Sequence, residues 1–169
     1  MRVLMFSWEY PPHVVGGLGK HVMELTPALV RQGVTVHLVT PAWNGGEPRE
    51  VVDGITVHRV PPAPAGDNIH DTAWRTNREL QRYVERLWPE VGGFDVIHAH
   101  DWLVAFAACE LRHVFRSPLV VTMHATERGR GGGHLLGDMA GAIHSTEQWL
   151  VGEAQHVIVT SEYMAGQVR

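Results

Sequence analysis

Short apolar runs rich in β-branched residues alternate along this chain with longer stretches of helical period, and few folds tolerate that pattern. The runs Val3 to Phe6, Val34 to Thr40, Ile55 to Val60, Asp95 to His98, Leu119 to Met123 and Val157 to Thr160 are nearly continuous in hydrophobicity. Strands covered on both faces read this way. Between the first two runs, Leu18, Val22, Leu25 and Leu29 recur at helical spacing, and Gly33 falls where a left-handed cap belongs. This predicts a helix from about Leu18 to Gln32. A second apolar stripe, Leu80, Tyr83, Val84 and Leu87, is expected to end before Pro89, and a third, from Leu103 to Val114, before Pro118. The expectation is an α/β fold: a Rossmann-like parallel sheet with helices on both faces.

At 169 residues the chain has the length of one domain. Its formal charge of −4 gives no basic footprint for nucleic acid. No apolar run is long enough to span a membrane, and Met1 to Glu9 turns polar before a signal-peptide core is complete. With Cys109 alone, no internal disulfide is possible. The cytoplasm is the expected compartment. Residues 41–53, 61–71 and 125–138, the last with Gly129-Arg130-Gly131-Gly132-Gly133, break the alternation and read as loops. The third follows a strand's C-terminal end, where open α/β sheets bind ligands.

Three features carry chemistry. In Gly16-Gly17-Leu18-Gly19, between the first strand and the first helix, backbone N–H groups can approach a phosphate at the positive end of the helix. The plainer reading is a tight turn. A dinucleotide site is disfavoured, because Val22 stands where a third glycine belongs and no acidic residue ends the second strand. A P-loop fails because His21 follows Lys20. The second feature, His98-Ala99-His100-Asp101-Trp102, and the third, Thr122-Met123-His124, end two strands at the same rim. His98 and His100 share a face, so a zinc site with His124 is conceivable, but the pattern lacks cysteine or an acidic partner. Asp101 reads as an N-cap for a helix starting at Trp102, with a functional role also open. His98, His37 and His58 read as packed strand histidines, whereas His124 can point into the cleft.

These segments in order, from Trp8-Glu9-Tyr10-Pro11-Pro12 through the glycine loop and the histidine rim to Ile143-His144 and Val157 to Ser161, resemble the N-terminal half of glycosyltransferases related to glycogen and starch synthases. The nearest group is the broad family of group 1 glycosyltransferases. The resemblance implies a GT-B architecture of two Rossmann domains, residues 1–169 being the single acceptor-side domain. It implies a retaining transferase that moves a hexose, glucose above all, from an ADP- or UDP-glucose type donor to a glucan or other glycan acceptor, without metal or other cofactor. Gly16 and Gly17 would meet the donor diphosphate, and His124 the transferred sugar and reacting centre. Asp101 would approach the same sugar.

Two departures matter. Val14 stands where the synthases carry lysine before the paired glycines, and no two glutamates lie eight positions apart as in the family's second domain. The nucleotide-sugar domain is therefore expected to be absent from these residues, leaving an N-terminal fragment inactive alone. A non-catalytic carbohydrate- or nucleotide-binding module acting with a partner subunit is the other reading. Trp43 and Trp74 could stack on sugar rings or simply be buried aromatics.

Overall fold

The structure is a computed structural model that describes residues 1–168. Its elements run β1 (Arg2–Phe6), α1 (Gly17–Arg31), β2 (Thr35–Pro41), β3 (Arg49–Val52), β4 (Ile55–Val60), α2 (Ile69–Val91), β5 (Val96–His100), α3 (Ala105–Phe115), β6 (Leu119–Met123), α4 (Glu127–Arg130), α5 (Gly137–Glu153), β7 (His156–Val159) and α6 (Glu162–Ala165). One seven-stranded sheet has the order β3-β4-β2-β1-β5-β6-β7. Every pairing is parallel except the antiparallel β3–β4 edge.

The expected strands are present, Ile55–Val60 and Leu119–Met123 with the expected ends and the others shifted by at most two residues. One shift matters, because β5 continues to His100 and so carries both histidines on a single extended strand. The stretch 41–53 is not wholly loop. Arg49–Val52 forms β3, joined to β4 through Asp53 and Gly54, both at positive φ (49° and 83°). An Asp-Gly pair in that conformation is the tight turn that matches strand twist. A four-residue edge strand with Arg49 and Glu50 in it lacks the apolar run that marks the buried strands.

Gly33 adopts φ +77° behind α1, as a left-handed cap requires. The second helix does not stop before Pro89. It runs to Val91, where Gly92 at φ +77° ends it. Proline in the last turn forfeits one hydrogen bond, and the Trp88 ring stacked on Phe115 at 4.0 Å anchors that end.

Alternation along the strands divides the core into two layers. Met5, Leu38, Ile55 and Val57 face Leu18 and Val22 of α1, while Leu4, Phe6, Ile97 and Val121 face the opposite layer, which includes Leu80 and Val84 of α2 and Leu111 of α3. Successive residues of β5 and β6 obey the same alternation. His98, His100 and Thr122 therefore lie on the α1 side of the sheet, and Ala99 and Val121 on the other.

Candidate active-site cleft

The chain fills the sheet outward from β1 in one direction through β2 and β4, then returns to fill the other side with β5, β6 and β7. The turning point lies between β1 and β5. A crevice opens outside the C-terminal strand ends at such a point, because the following segments leave in opposite directions. Here the crevice is a cleft of about 470 Å³, lined among others by Glu9, Gly16, Gly17, His21, Asp101 and His124.

The sheet register builds its floor. His98 Nε2 lies 2.8 Å from Thr122 Oγ1, and one step nearer the rim His100 Nδ1 lies 3.1 Å from His124 Nε2. His21, in the first turns of α1, sets its ring edge-on to His124 with centroids 4.9 Å apart. Burial is the main force on all three rim histidines of β5 and β6. It pushes His98 and His124 down to about 4 and His100 well below its ordinary value, so each is neutral at pH 7. A neutral imidazole offers one donor and one acceptor, the form needed to hold a hydroxyl group.

Asp101 does not cap the helical turn that begins at Trp102. No side-chain cap hydrogen bond forms there. Its φ of +61° turns the carboxylate across the rim instead, where Oδ1 accepts the His124 backbone N–H at 2.6 Å. Its own N–H donates to Thr122 O at 3.0 Å. A non-glycine residue in this conformation is costly and persists only where neighbours fix it. Asp101 thus binds the ends of β5 and β6 together and sets the direction of His124. Burial raises its carboxyl to about 6, with the His124 N–H pulling the other way.

The glycine loop divides its labour. A Cβ at Gly16 or Gly17 would meet nothing within 4 Å, so both present bare backbone toward open space. At Gly19 a Cβ would stand 3.0 Å from Glu9 Oε2 and Val14 Cγ1, so that glycine serves close packing. Glu9 Oε2 accepts the N–H groups of Val15 and Gly16 at 2.9 and 3.0 Å. The loop is therefore a bend whose Val15 and Gly16 N–H groups already hold the Glu9 carboxylate. No side chain caps α1, which leaves its first turn, beginning at Gly17, facing the cleft with the positive end of the helix dipole.

The loop after β6 supplies the far wall. Thr126 caps α4 through Gly129 N, and both carboxylate oxygens of the buried Glu147 accept the Glu127 N–H, at 2.8 and 3.0 Å. Burial raises the Glu147 carboxyl to about 7. This anchoring presents Arg130 at the cleft, where an exposed pairing with Glu127 at 3.3 Å leaves most of its charge free to solvent. A second hollow of about 420 Å³ adjoins the first, sharing Glu9, Leu103 and Arg130 and adding Trp8, Trp102 and Met139.

The four residues expected at the site, Gly16, Gly17, Asp101 and His124, thus line one cleft. Glu9, His21 and Arg130 join them unexpectedly. His21 lies four positions after Gly17, one helical turn along the same face, and Arg130 is the lone charge inside a glycine run; these were the available signals. The conceivable set His98, His100 and His124 is not the one brought together, because the Nε2 of His98 faces Thr122 and the third ring near the other two is His21. Trp43 is a packing residue: it lies 4.8 Å from Trp8 and donates Nε1–H to the Trp8 carbonyl. Trp74 is exposed on α2 beneath Arg78, away from the residues lining the cleft.

A mainly parallel sheet with a glycine bend and a polar rim at its switch point defines an α/β domain of the kind found in GT-B glycosyltransferases. Comparison with known proteins narrows this. The family described as Glycosyltransferase Family 4 matches residues 15–169, and the chain belongs to it. A glycogen synthase of Mycobacterium tuberculosis is 36% identical over 186 aligned residues, covering 99% of this chain and 44% of that protein. An uncharacterised glycosyltransferase of Methanocaldococcus jannaschii is also 36% identical, over 99% of this chain and 42% of its own. The chain therefore spans less than half the length of the curated relatives it matches. Among solved structures, sucrose-phosphate synthase from Thermosynechococcus elongatus superposes with a TM-score of 0.82 at 19% identity, over 99% of this chain and 44% of that one. Arabidopsis thaliana UGT89C1, complexed with UDP-L-rhamnose, does so at 0.63 and 13% identity, over 96% and 45%. Among the described residues no helix is long and apolar enough to cross a membrane.

Proposed function

We propose that this chain is the acceptor-side half of a retaining hexosyltransferase, and that a second Rossmann domain closes over the cleft to bring the nucleotide part of an ADP- or UDP-glucose type donor. The observation that carries this reading is the convergence of the Gly17 helix start, Asp101 and His124 on one cleft at the sheet's switch point. The donor diphosphate lies against the first turn of α1. Because Glu9 occupies the Gly16 N–H, the contact falls chiefly on Gly17 and the N–H groups after it, with Gly16 giving steric access. Preorganised N–H donors stabilise the charge that develops on the leaving diphosphate without reorganising. Val14 adds no cation there, and Arg130 on the opposite wall offers one.

His124 is neutral at pH 7 and directs its ring toward the transferred sugar, where it holds a hydroxyl group near the reacting carbon. Asp101 acts on the sugar through His124, fixing the strand end from which that ring projects. The glycan acceptor enters along the adjoining hollow, lined by residues that include Trp8, Trp102 and Met139. On this reading residues 1–169 alone lack transferase activity.

The test is His124→Ala in a protein carrying this chain and a donor domain, assayed for nucleoside diphosphate release with glucose donors and a glucan. Loss of one preorganised donor lowers kcat by about a hundredfold or more, at an unchanged melting temperature. Near-normal turnover would remove His124 from the reaction. Robust transfer by residues 1–169 alone would refute the half-site reading.

A further inference from the structure

The histidines of the rim have a property beyond sugar binding. Ring nitrogens of His21, His100 and His124 all lie within 4.8 Å of one another, and two of them, His100 Nδ1 and His124 Nε2, are 3.1 Å apart. Two imidazole nitrogens bound to one tetrahedral ion at about 2.0–2.1 Å stand roughly 3.3 Å from each other. The pair already has the bite of a chelate. His100 is fully buried and held on a central strand, so its position is fixed by the sheet, and its Nε2 has no hydrogen-bond partner. His21 and His124 are half-buried and line the open cleft, which provides the path of entry. Rotating the His21 ring inward by roughly 1.5 Å completes three nitrogen ligands at the spacing a tetrahedral ion needs.

We propose that His21, His100 and His124 form a binding site for a divalent zinc ion, three imidazoles with the fourth position open to the cleft. Imidazole nitrogen suits zinc, whereas magnesium and calcium require oxygen ligands, so the site selects against the abundant cations. The ion engages Nε2 of His124, the nitrogen 3.1 Å from His100 Nδ1, so occupancy fixes that ring and withdraws this nitrogen from any other ligand. Zinc is thus a blocking ligand here. The inference concerns the cleft geometry and stands whether or not the cleft takes a nucleotide sugar.

The experiment uses the purified protein stripped with a chelator and titrated with zinc alone against a chromophoric chelator, no sugar nucleotide being present. The expected result is one tight site per chain. Cobalt in place of zinc should give the intense visible absorption of a four-coordinate site. His21→Ala should weaken zinc at least tenfold, and His124→Gln should do the same should the first variant fold poorly. His156→Ala, at the N-terminal end of the edge strand β7 and outside the residues that line the cleft, should change nothing. Absence of a stoichiometric site, six-coordinate cobalt spectra, or equal affinity in folded His21→Ala and His124→Gln would each overturn the proposal.

Discussion

Replacing Gly17 by valine separates a phosphate cradle from a mere bend. A Cβ at this position meets nothing within 4 Å, so the valine side chain extends into the cleft and leaves its neighbours in place. Valine is no worse than glycine inside a helix, so the fold should tolerate the change. The function should not. A hydrogen bond to a charged group contributes about 1.5–3 kcal/mol. Losing one such bond to the diphosphate lowers kcat/KM for the donor by roughly 10- to 150-fold, at about 1.4 kcal/mol per tenfold. The assay is steady-state kinetics with varied donor at saturating acceptor, in a protein carrying the donor domain, with thermal unfolding run in parallel. A donor kcat/KM within twofold of the parent, at an unchanged melting temperature, would refute the reasoning and leave the loop a plain turn.

Gly19→Val should behave in the opposite way. Its Cβ is crowded by Glu9 and Val14 at 3.0 Å, so overpacking should cost about 1–3 kcal/mol, roughly 2–10 °C at this chain length; an unchanged melting temperature would count against the packing role. His98 and His124 should titrate near 4 and not near 6.5 by ring NMR. Because the unfolded chain takes up these protons near 6.5 and the folded one only near 4, their contribution to stability is full above 6.5. It is lost as the pH falls toward 4, and a melting temperature that rises over that descent would contradict the assignment. Arg130→Ala should reduce turnover in the longer protein while shifting stability by less than about 1 kcal/mol, as an exposed ion pair allows; equal rates would remove it from the cleft.

The strands were legible because both faces of a parallel sheet are buried, and burial writes itself as hydrophobic runs. β3 was not, because an edge strand of four residues has neither run nor long alternation, although Asp53-Gly54 marked its turn. The rim histidines were legible as rim residues because strand ends can be located from the same runs. Their pairing was not. Which ring meets which follows from the register of β5 on β6 and from the angle at which α1 crosses the sheet, and both are tertiary quantities. Asp101 shows the limit most sharply. The propensity of aspartate for helix starts is a local preference, and the hydrogen bond to a backbone 23 residues away outweighs it. Glu9 was hidden for a related reason, since its partners Val15 and Gly16 come within reach only through the turn from Tyr10 to His13, closed by the His13 N–H on the Tyr10 carbonyl.

The tie from Asp101 to His124 has a consequence for how the molecule is made. β1, at the start of the chain, receives its second neighbour only when β5 arrives more than ninety residues later, with Val3 beside Val96. The rim is complete only after His124 has emerged to donate its N–H to Asp101. A nascent chain shorter than that holds a glycine bend and a helix with nothing opposite them. Pairings of such sequence separation form slowly, so the chemistry-bearing corner assembles late in synthesis, after much of the β2–β4 side can already have formed.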